Sequence, residues 1–87
     1  MDRDNIENLV QFSQMLLLQF NELLKSDIVI NETKEFIVNN MIILDGMNKT
    51  AINFQGNEEQ KKVFTTLFDE TLNDNYRFVK NLLGYQD

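Results

Sequence analysis

Residues 6–24 read IENLVQFSQMLLLQFNELL, and the way this stretch folds decides the rest of the chain. Ile6, Leu9, Val10, Leu16, Leu17, Phe20, Leu23 and Leu24 recur at the three- and four-residue steps of an amphipathic helix. At about 100° per residue they form one broad apolar face. Phe12 falls at the edge of that face. Met15 and Leu18 fall well outside it, among Asn8, Gln11, Gln14, Gln19 and Glu22. No charged side chain stands between Leu9 and Asn21. An outward surface that is apolar in spots, rich in amides and uncharged has the make-up of a protein-binding face.

The 87-residue chain has the length of one domain. A chain of this size buries only about 60–70% of its unfolded surface, so self-association would add useful stability. Proline is absent and glycine occurs three times, which favours long uninterrupted helices over a turn-rich β fold. The fold expected is an all-α bundle.

The composition also narrows the chemistry. Without cysteine there is no disulfide framework and no thiolate metal site. Without histidine the commonest general base and metal ligand are missing. The two serines, Ser13 and Ser26, have no base to activate them. No enzymatic activity, cofactor or metal is therefore expected. Asp69, Glu70 and Asp74 lack the spacing of a calcium loop and read as a solvated helix face.

The first five residues are acidic on balance, unlike a secretory signal, and the apolar stretch is too interrupted to span a membrane. These features lead to an expectation of a cytoplasmic protein. Fourteen acids against eight bases give a net charge of −6. Free nucleic acid would be repelled, and a basic protein surface would be attracted.

Three main helices are expected, over about 5–25, 27–44 and 58–83, with a short one near 49–54. Asp4, with Glu7 three residues on, suits the start of the first helix. Ser26 or Asp27 would cap the second, whose apolar face includes Val29, Ile30, Phe36, Ile37, Met41 and Leu44. Asp45-Gly46 reads as its stop. Asn57 with Gln60 forms a capping-box pattern for the last helix, and Gly84 suits the position just past its end. Asn73-Asp74-Asn75 is a weak run that leaves open one long helix or two. Phe20, Phe36, Phe64, Phe68 and Phe78 lie on or beside the helical stripes and are expected in the core.

The last third carries a resemblance. Lys61-Lys62 is followed by Phe64, Phe68 and Leu72 at four-residue steps, and then by Tyr76-Arg77-Phe78-Val79. This looks like the C-terminal part of the AsiA-type anti-sigma factors of T-even-like bacteriophages. At the front, Asn5-Ile6 opens a hydrophobic helix of similar length, and Asp27-Ile28-Val29 matches the start of the second helix in that family. The similarity covers roughly the first 30 and last 27 residues. Between Gly46 and Lys61 this chain is several residues shorter.

The resemblance implies an all-helical protein that binds region 4 of the host's primary sigma factor within RNA polymerase. It implies loss of −35 promoter recognition and redirection of the polymerase to phage middle promoters. It implies a homodimer in the free state, formed by much the same surface of the first helix, in the host cytoplasm and with no direct nucleic-acid contact. Carried over by position, the contacts would be Gln11, Met15, Leu18 and Gln19, with Asn8 and Glu22 beside them. Phe12, Met15 and Leu18 would supply the buried centre. Apart from the resemblance, the same features fit a helical homodimer or an immunity- or antitoxin-like module that binds another protein.

Overall fold

The computed structural model describes residues 2–84, as three helices: α1 (Asp2–Leu24), α2 (Asn31–Ile52) and α3 (Glu58–Leu83). No strand occurs among the described residues. α1 is the spine. Both α2 and α3 pack along it and make little contact with each other, which explains why α1 needs so broad an apolar face. The buried core takes Leu9, Leu16, Phe20 and Leu23 from α1, Ile37, Leu44 and Ala51 from α2, and Phe68, Leu72 and Val79 from α3. Ile6, Val10, Leu17 and Leu24 pack partly buried against it.

The helix ends correct several expectations. α1 already begins at Asp2, so Asp4 lies inside its first turn and does not cap it. Neither Ser26 nor Asp27 caps α2. The Ser26 Oγ accepts the Ile28 backbone N–H at 3.3 Å, a local turn that competes with helix. Three β-branched residues in succession, Ile28-Val29-Ile30, also favour extended backbone. α2 therefore starts at Asn31, with Ile30 in its N-cap position making no side-chain cap bond. Val29 alone of the three packs against the core, and Ile28 and Ile30 are exposed.

At its other end α2 does not stop at Asp45-Gly46. It continues to Ile52 and absorbs the separate short helix expected near 49–54. The physical reason is the burial of residues on both sides of the glycine. Leu44, Asn48 and Ala51 are all buried, at steps of four and three, so the inward stripe runs on. Glycine within a helix costs only about 1 kcal/mol relative to alanine, less than the burial of that turn returns. Asp45 and Lys49 form an i,i+4 ion pair at 3.0 Å, and the Thr50 hydroxyl donates to the Gly46 carbonyl at 3.0 Å. A Cβ placed on Gly46 meets nothing within 4 Å. Gly46→Ala is accordingly expected to raise stability by about 0.5–1 kcal/mol, measured as a shift of the urea midpoint at constant slope.

α3 keeps to the pattern. The Asn57 Oδ1 accepts the Gln60 N–H at 2.8 Å and the Gln60 Oε1 accepts the Asn57 N–H at 2.9 Å, a complete capping box. Gly84 closes the helix in the left-handed region at φ +80°, where residues that carry a Cβ are strained. The helix passes unbroken through Asn73-Asp74-Asn75. Asn75 is buried, and its Nδ2 donates to the Thr71 carbonyl at 2.8 Å, which satisfies the amide within its own helix.

Among the described residues, two buried polar groups lack a protein partner, the Ser13 hydroxyl and the Asn48 side-chain oxygen. Such groups cost about 1–3 kcal/mol each, which keeps this small core from being optimal. The molecule measures 44 × 26 × 16 Å with a radius of gyration of 14.0 Å, against about 12 Å for a chain of this length. It is elongated and thin, and leaves many apolar side chains at its surface.

A candidate partner-binding face on α1

Asn8, Gln11, Met15, Leu18, Gln19 and Glu22 are all exposed on α1. Met15 is 59% and Leu18 68% accessible, whereas Leu16, between them in sequence, is 1% accessible. Asn8, Gln11, Met15, Leu18 and Glu22 succeed one another at steps of three and four residues, so they form a single ridge along the helix. α2 and α3 pack on the opposite side of the helix, and the ridge lies on the side they leave uncovered, with Glu7, Gln14 and Asn21 exposed beside it. Its amides carry no net charge. Its lower end is marked by Glu22, which pairs with Lys25 at 3.4 Å in an exposed contact that contributes little to stability.

Phe12 differs from the other expected contact residues. It is partly buried and packs against the core, with its ring edge-on to Tyr76 of α3 at 5.6 Å between centroids. It thus anchors the border of the ridge, and a partner would meet only its margin. Tyr76, which the helical pattern assigns to the stripe of α3, is 42% exposed, and the Lys80 ammonium lies 5.2 Å from its ring centroid. The candidate face therefore extends from Met15 across Phe12 to Tyr76 and Lys80 on α3. Only the three-dimensional pairing of Phe12 with Tyr76 joins the two segments; the one hint in the sequence was tyrosine itself, which favours half-wet positions.

The exposed side chains of this face are amides, apolar groups and Glu22, with Tyr76 and Lys80 at its α3 border. Ser13 is sealed in the core, and the Ser26 hydroxyl oxygen is engaged by the Ile28 N–H. Among the described residues no group of three acidic side chains is placed to hold a metal ion, and Asp69, Glu70 and Asp74 are exposed on α3. Among the same residues no helix is long and apolar enough to cross a membrane. No family model, curated protein or solved structure matches the chain.

Proposed function

We propose that the protein is an anti-sigma factor of the AsiA type, which binds region 4 of a bacterial primary sigma factor through the α1 ridge. The observation that carries this reading is the uncovered Met15–Leu18 ridge, apolar at its centre and uncharged around it, on a chain of net charge −6. The resemblance of the first and last helices to that family supplies the partner. Sigma region 4 is basic where it reads the −35 element, and an acidic protein is steered to it. Met15 and Leu18 fill apolar recesses of the partner, and the flanking amides satisfy polar groups as water leaves. Occupancy blocks −35 recognition and leaves RNA polymerase open to phage middle promoters.

The same ridge serves a second copy when sigma is absent. Gln11, Met15, Leu18 and Glu22 are spaced at four, three and four residues, the seam spacing of paired helices. Homodimer and sigma complex then compete for one surface. The seam spacing equally supports a second reading, a helical homodimer or an immunity- or antitoxin-like module whose ridge binds another protein.

Transcription in vitro separates the two. Under the proposed function, the protein suppresses transcription from a −35-dependent promoter and spares one recognised without a −35 element. Equal behaviour of the two promoters would favour the second reading.

A further inference from the structure

A separate apolar surface lies on the opposite side of the molecule from the α1 ridge. α2 and α3 run antiparallel, joined by residues 53–57, and one end of the channel between them is closed by Phe36 and Phe78, edge-on at 4.9 Å. In that register Ile43 comes level with Thr71 and Met47 with Leu67. The two helices pack on α1 and hardly on each other, which leaves apolar side chains of both exposed between them. Half or more of the surface of Phe36, Ile43, Val63 and Leu67 is exposed. Phe36, expected in the core, is thus a wall of this channel. From Phe36 to Met47 the wall runs about 17 Å, the length of roughly three helical turns.

Acids outnumber bases around the channel. By helical register its margins carry Glu32 on α2 and Glu59, Glu70 and Asp74 on α3, all exposed. Arg77, a base on the same margin, is 3.5 Å from Asp74. Lys34 and Lys49 lie on the opposite edge of α2, and Lys80 on the opposite flank of α3. Lys62 stands with Glu59 and Thr66 beside Val63 and Leu67, so the α3 margin carries the bases Lys62 and Arg77 against the acids Glu59, Glu70 and Asp74.

We propose that this channel is a second docking surface and that its occupant is a basic amphipathic helix of about three turns. Apolar side chains of such a helix would enter between Ile43 and Leu67, and its lysines or arginines would meet the acidic margins. A second copy of this chain is the poorer occupant, because its own channel would bring the acidic margins of Glu32, Glu70 and Asp74 against acidic margins. The channel and its charges are independent of the role given to the α1 ridge.

The test is calorimetric titration of the full chain with a helical peptide of roughly eighteen residues, leucines on one face and lysines on the other. A twin peptide with glutamates in place of the lysines is the comparison. The lysine peptide is expected to bind and to weaken with added salt, and the glutamate peptide not to bind. Leu67→Glu should lower affinity about tenfold or more, and Leu18→Glu should leave it unchanged. To guard against misfolding of Leu67→Glu, Val63→Ser with unchanged circular dichroism is a second variant expected to weaken binding. Equal binding of the two peptides, or no effect of either α3 variant, would overturn the proposal. So would a Leu67→Glu chain that sediments as monomer where the parent is a dimer, which would assign the channel to self-association.

Discussion

Leu18→Glu is expected to abolish binding to isolated sigma region 4 while leaving the helical circular dichroism and the thermal midpoint nearly unchanged. The two halves of this outcome have one cause. Leu18 is 68% accessible in the free protein, so a carboxylate there stays in water, and substitutions at such positions usually change stability by no more than about 0.5 kcal/mol. In the complex the same carboxylate is placed at the centre of an apolar contact without a partner. The loss is roughly 3 kcal/mol or more, at least about a hundredfold in Kd. Met15→Glu is expected to act in the same way. Equilibrium binding of each variant beside its melting curve checks the prediction. A variant that unfolds instead would place Leu18 in the core.

Two positions further along α1 the expectation reverses. Phe20 is wholly buried and tilts against Phe78 at 6.3 Å between ring centroids, at the point where α1 joins both other helices. Phe20→Ala is expected to cost about 3–5 kcal/mol through lost burial and the cavity left behind. A chain of this length has roughly 4–13 kcal/mol of stability in total, so the thermal midpoint should fall by about 15 °C or more. Partner binding would weaken only as the folded fraction falls. Circular dichroism melting reads this directly, and a shift of a few degrees would mean that α1 is not the spine of the fold.

The contrast between Phe20 and Leu18 was legible in the sequence, because helical angle alone separates the two sides of α1. The all-α class and the ends of α3 were legible for similar reasons: the Asn57–Gln60 box and Gly84 are local chemistry with local consequences. Expectation and structure part where tertiary packing overrides a local signal. Gly46 looks like a stop, yet Asn48 and Ala51 turn toward α1 and hold the helix through it. Ile28-Val29-Ile30 looks like the first turn of α2, but the Ser26 turn and β-branching keep it out of the helix. The union of Phe12 with Tyr76 spans most of the chain and leaves no periodic trace. The channel between α2 and α3 was hidden for the same kind of reason: its walls belong to two stripes, and only the packing of both helices on α1 leaves them unmatched.

Whether the α1 ridge holds region 4 of a primary sigma factor is tested most directly by titrating the free protein into isolated region 4 and recording the heat of mixing. A saturable complex is expected, one that disappears with Leu18→Glu and persists with Leu67→Glu. Absence of a complex with the cognate sigma factor, or a complex indifferent to Leu18, would contradict that role for the ridge.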